Sequence, residues 1–208
     1  MRDSIDQIYE SAAILVNQII LIILANTIMI KSLSIFASLL ILFCFSVSCN
    51  GQDEKVNNGE VKTYYPDGSI CNVSNYVNGK INGHSLSYFR NGKIQDDCTF
   101  KNGDFVGMQK WYFPNGQLNH EEYYDNNGKQ QGVFKIWYSS GQLRQTGSTI
   151  NGLIIGRSIQ YYENGNIESI YIYNNSGKKD STWVYYSDDK NIIRREVYKE
   201  DSLIRTLK

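Results

Sequence analysis

Turn glycines recur in this chain at Gly68, Gly92, Gly116, Gly141 and Gly165, spaced 24, 24, 25 and 24 residues apart. A second set, Gly59, Gly83, Gly107, Gly132 and Gly156, keeps the same spacings. Five residues after each of these stands an aromatic: Tyr64, Tyr88, Tyr112, Trp137 and Tyr161. The next position is aromatic as well, and two residues past each turn glycine comes Ile70, Ile94, Leu118, Leu143 or Ile167. Columns that coincide in this way define a tandem repeat, in which one supersecondary unit stacks on the next.

Each unit reads as one hairpin plus a return turn. Asn-Gly and Asp-Gly pairs such as those in "YFRNGKI" accept positive φ and are the strongest short hairpin signal. The return turn has its own glycine at Gly79, Gly103, Gly128 and Gly152, and the longer unit carries one extra Asn in "YYDNNGK". A sixth unit is eroded. Tyr185 and Tyr186 keep the aromatic pair, Asp180 stands for the leading glycine, and "SDDKN" replaces the short turn with one residue more. A degenerate, charged last unit suits a cap over an open sheet edge. The expected fold is all-β: an elongated antiparallel sheet of about six tandem 24-residue hairpins over 59–197, closed by a cap at 198–208. Twelve such strands would extend roughly 55–60 Å at about 4.8 Å per strand.

Composition agrees. The 208 residues include 16 Tyr and 17 Gly but only 2 Pro, as strands joined by tight turns require. Lys+Arg and Asp+Glu both total 21, so no basic footprint points to nucleic acid.

The long aliphatic runs are confined to residues 12–48. From Met29, "MIKSLSIFASLLILFCFSVSCNGQDEK" has a basic start at Lys31, an apolar run from Leu33 to Phe45, and small residues before Cys49. Residues 29–48 resemble a bacterial lipoprotein signal peptide, and the resemblance makes Cys49 the lipid-modified residue, although Ser46 departs from the usual aliphatic. Translation from Met29 gives a signal of ordinary length, so residues 1–28 are expected to be an upstream overrun. The alternative is a pair of membrane spans, Ala12 to Ile30 and Ser32 to Val47. Residues 49–58 are polar and read as a flexible tether. An acyl anchor of this kind gains about 0.8 kcal/mol per buried methylene. Asn50 rather than Asp after the cysteine directs the expectation to the outer membrane of the cell envelope. Without the signal the location would be cytoplasmic.

The repeat core, "YY.NG.[IL]", resembles that of the MORN-repeat-variant family, bacterial members of which are often labelled YwqK-type antitoxins. The resemblance covers residues 59–197. It implies an elongated antiparallel sheet of stacked hairpins rather than a compact enzyme fold, with motif residues that make turns and pack.

Adjacent aromatics on a strand face opposite sides. Cross-strand aromatic and aliphatic pairs, each contributing about 0.2–1 kcal/mol, would hold a thin sheet together. The sharper reading is a binding ladder of Tyr64, Tyr88, Tyr112, Trp137, Tyr161, Tyr185 and Trp111, with Trp111, Ile136, Gln160 and Val184 in a variable column beside it. Cys71 and Cys98 fall on equivalent strands of neighbouring units, two spacings apart. That is beyond the roughly 7 Å limit for a bridge, so both are expected to be unpaired. His84 and His120 occupy unrelated repeat positions, with no spacing suited to zinc. Asp96-Asp97, Glu121-Glu122 and Asp188-Asp189 are sequence neighbours and should face apart. No nucleophile elbow or phosphate loop is present. No catalytic residue, metal or cofactor is expected, and the chain reads as non-enzymatic. The leading function is a lipid-anchored scaffold that binds an unidentified protein or an envelope glycan or lipid surface. Alternatives are an antitoxin or immunity-type protein neutralising a toxin partner, and a glycan-binding module that uses the aromatic columns.

Overall fold

The structure, a computed structural model, describes residues 56–207. The signal-like segment, Cys49 and residues 1–28 lie outside the described residues. The first unit is β1 (Gly59–Tyr64) and β2 (Ile70–Val77), the second β3 (Lys80–Tyr88) and β4 (Ile94–Lys101). The third opens with a two-residue piece, β5 (Asp104–Phe105), and continues as β6 (Gly107–Tyr112) and β7 (Leu118–Tyr124). The fourth is β8 (Gln130–Trp137) and β9 (Leu143–Ile150), the fifth β10 (Leu153–Tyr161) and β11 (Ile167–Tyr173). A sixth hairpin of β12 (Ser181–Tyr186) and β13 (Ile192–Lys199) is followed by β14 (Ser202–Leu207). All lie in one antiparallel sheet in sequence order, with β5 beside β4. The split of β5 from β6, together with β14, accounts for the two strands beyond the twelve expected.

The hairpin turns close as the sequence requires. At the first, Gly68 at φ +83° donates its N–H to the Tyr65 carbonyl at 2.9 Å, and Asp67 accepts from the Ser69 N–H. Within each hairpin the register breaks once, just before the conserved aromatic column, so that Tyr64 meets Ile70 and Trp137 meets Leu143. Between units the ladder breaks as well, for example between Ser74 and Tyr76, and between Ile155 and Ile159.

These breaks decide which face packs. Counted from the leading glycine, the second residue of each unit is Val61, Ser85, Gln109, Phe134, Ser158 or Trp183, and four of these are nearly inaccessible along with Gln109. The partners across the hairpin are Ser74, Cys98, Glu122, Gly147, Tyr171 and Glu196. This row is the core of a one-layer sheet, and the face that carries it is the packed face. Gln109 shows how a break is filled. Its side-chain amide takes the Thr99 N–H of β4 at 2.9 Å and donates to the Val106 carbonyl at 2.7 Å, tying β4 to the link between β5 and β6. Trp183 occupies the same position three units on and donates its indole N–H to the Ile172 carbonyl at 2.9 Å. Volumes along the row compensate: a Cβ on Gly147 would come within 2.8 Å of the Phe134 ring, so glycine stands there for room.

Cys71 on β2 is disulfide-bonded, which corrects the expectation that it is unpaired. Cys98, on β4 with β3 between them, is buried on the packed face, as the meander requires.

Candidate functional site

The opposite, open face carries two distinct bands. Along the turn-proximal end each aromatic pairs with an aliphatic across its hairpin: Tyr64 with Ile70, Tyr88 with Ile94, Tyr112 with Leu118, Trp137 with Leu143, and Tyr161 with Ile167. The result is an apolar stripe running from unit to unit, with Tyr64 43% exposed and Ile70 and Ile94 also exposed. Lys62 marks the face: its amine is held above its ordinary value mainly by the hydrogen bond to Glu60, with smaller contributions from both Tyr64 and Tyr88. Beside the stripe runs a charged band. His84 meets Asp97 at 2.6 Å, Asp97 stands across from Lys110, and Lys135 meets Glu121 at 3.3 Å. Next to that band Met108, Tyr123 and Val133 are exposed around an open depression of about 450 Å³.

The packed face is aromatic and acidic. Trp111 lies 5.0 Å from the His120 ring, and Phe105 sits edge-on to Trp111 at 6.0 Å. Tyr171, Tyr173 and Tyr198 surround Trp183 at 4.6, 5.4 and 4.9 Å, with the Lys179 amine 4.8 Å above its ring. Two carboxylates at equivalent positions accept hydrogen bonds from tyrosine hydroxyls. Glu122 accepts from Tyr124 at 2.7 Å, and Glu196 accepts from Tyr185 and Tyr198 at 2.8 and 3.0 Å. Burial, reinforced by these carboxylates, drives the Tyr124 and Tyr185 hydroxyls well above the usual phenol range. The acidic neighbours part as alternation demands: Asp97 and Glu121 face the open side, Asp96 and Glu122 the packed side. Among the described residues no three His, Cys, Asp or Glu side chains gather as metal ligands.

Asp96 stands between Ser87 and Trp111, and burial lifts its carboxyl to about 6 against a smaller lowering by the Ser87 hydrogen bond. A raised native value means the protonated form is favoured in the fold, so its stabilisation is complete below the unfolded value near 4 and is lost as pH rises through about 6. Asp96→Asn should therefore raise stability by roughly 2–3 kcal/mol at pH 7.5 and change it little at pH 3.5. Urea midpoints at the two pH values check this; an equal effect at both would assign the gain to something other than ionisation.

The MORN repeat variant model matches five consecutive segments, 57–78, 81–102, 105–129, 130–151 and 155–175. The chain belongs to the MORN repeat variant family. No curated protein matches it. Membership agrees with the architecture, a repeat scaffold for binding, and each matched segment covers one hairpin.

The sixth MORN unit lies beyond the matched segments, and its register differs from the one expected. Ser181, at φ +58°, occupies the leading position in place of Asp180. Tyr186, not Tyr185, pairs with Ile192 and joins the Tyr64 column. Lys190, at φ +66°, takes the turn position and donates to the Ser187 carbonyl at 2.9 Å, as Gly68 does to Tyr65, so the turn is no longer than the others. The extra residue sits in the preceding return turn. "YNNSGKK" there matches "YDNNGKQ" of the third unit, and Gly177 and Gly128 make the same turn bond. That match was the signal in the sequence. Consequently the seven ladder residues divide between the faces. Tyr64, Tyr88, Tyr112, Trp137 and Tyr161 line the open face, whereas Trp111 and Tyr185 share a column on the packed face. Arg194 covers the Tyr185 ring at 4.0 Å.

Proposed function

We propose that this chain is a non-catalytic MORN scaffold, anchored to a lipid surface of the cell envelope through Cys49, that binds a protein partner along the open face. The observation that carries the reading is the stripe of aromatic–aliphatic pairs, Tyr64 with Ile70 through Tyr161 with Ile167, bordered by a band of mixed charge. An apolar centre with a charged, solvated rim is the anatomy of a protein interface. The anchor rests on the signal-like segment that ends at Cys49.

The test is incorporation of labelled palmitate in the native host, for the wild-type chain and Cys49→Ala, with membrane fractionation. The expected result is label in the membrane fraction that vanishes with Cys49. Unlabelled, soluble wild-type protein would remove the anchor and place the partner search in the cytoplasm.

A further inference from the structure

The two ends of the sheet differ. Among the described residues β1 pairs only with β2, and β14 only with β13, so each presents one unpaired ladder. The β1 edge carries Glu60 and Lys62 in an ion pair at 3.0 Å, and charge on an edge discourages strand addition. In β14, SLIRTL, Arg205 is the one ionisable side chain. All six of its residues are exposed, with Leu203 at 52% and Ile204 at 59%, and Ile193 on neighbouring β13 is exposed too. An open edge with a single charge, exposing Leu203, Ile204 and Leu207, is a template for another strand.

We infer that β14 is the pairing edge for a second copy of this chain. The strand count selects the symmetry. The hydrogen-bonded path runs through thirteen antiparallel strands from β1 to β14, so its two end strands point the same way. Simple head-to-tail addition would set β14 against the β1 of the next copy as a parallel pair. Turning that copy over restores antiparallel pairing but joins a packed face to an open face. A two-fold axis normal to the sheet, with β14 against β14, keeps the ladder antiparallel and each face continuous with its counterpart. Such an isologous contact also closes, as most homo-oligomers do, and leaves the charged β1 edges outermost. This pairing is independent of the anchor and of the open-face partner.

The experiment is light scattering on size-exclusion chromatography of the full chain in one detergent, across a concentration series. It compares wild type, Ile204→Pro, which takes a backbone N–H out of β14 at the irregular step of its pairing with β13, and Lys62→Pro at the other edge, with near-ultraviolet circular dichroism as the check on folding. Hydrogen exchange of residues 202–207 is followed in the wild type over the same series. The expected result is wild type and Lys62→Pro at twice the protein mass of Ile204→Pro, and exchange at 202–207 that slows as concentration rises. A single-chain mass for the wild type at every concentration, or a dimer that survives Ile204→Pro with exchange unchanged, overturns the inference. Loss of the dimer in Lys62→Pro alone would move the contact to β1 and overturn it equally.

Discussion

Trp183→Ala should melt the last hairpins while the first ones remain folded. Trp183 is 6% exposed, stands among three tyrosine rings and the Lys179 amine, and donates its indole N–H to Ile172. Truncating a buried aromatic of this kind costs about 3–5 kcal/mol, and here a carbonyl in a ladder break also loses a donor. In a stack where each unit touches only its neighbours, such a loss has no reason to spread evenly. Hydrogen exchange followed by fragment mass should show protection lost over 167–207 and retained over 59–124. Uniform loss along the chain would mean that the sheet unfolds as one cooperative body, and the nearest-neighbour description would fail.

The repeat made most of the fold legible because the turn residues are constrained by backbone geometry. A glycine that must sit at positive φ cannot drift, so Gly68 and its equivalents announce hairpins without any knowledge of packing. The aromatic column was legible for a similar reason, since Tyr64 and its counterparts always follow the leading glycine at one distance. The sixth unit was misread because its markers had eroded: Ser181 and Lys190 adopt positive φ without being glycine, and counting from Asp180 shifted Tyr185 by one residue and hence to the other face.

The packed row was not legible at all. Val61, Ser85, Gln109, Phe134, Ser158 and Trp183 share neither size nor polarity, because each answers to its own break in the ladder and to the residue opposite. Phe134 fits because Gly147 leaves space for it; Gln109 fits because it takes the Thr99 N–H, and Trp183 because it adds a second donor to the Ile172 carbonyl, which also accepts from the Asp180 N–H. A column conserved in role and variable in chemistry leaves no trace in spacing. The candidate binding stripe was visible in its residues but not in its pairing, since register across the bulge had to be known before Tyr64 could be set against Ile70.

That view of the packed row makes Gln109 its most exacting test. The side chain is fully buried, at 0% exposure, and its amide bridges the Thr99 N–H and the Val106 carbonyl where β5 gives way to β6. Gln109→Ala removes the bridge and opens a cavity, and leaving buried backbone groups unsatisfied costs about 1–3 kcal/mol for each. The expected loss is therefore about 2–4 kcal/mol, seen as a lower urea midpoint at an unchanged slope. Gln109→Leu separates the two contributions, because it restores most of the volume and none of the hydrogen bonds. If the amide acts as a substitute rung, the leucine variant stays nearly as unstable as the alanine one, and exchange at the Thr99 amide rises in both. A leucine variant as stable as wild type would show that filling the gap is enough, and that the hydrogen bonds to Thr99 and Val106 contribute little beyond their packing.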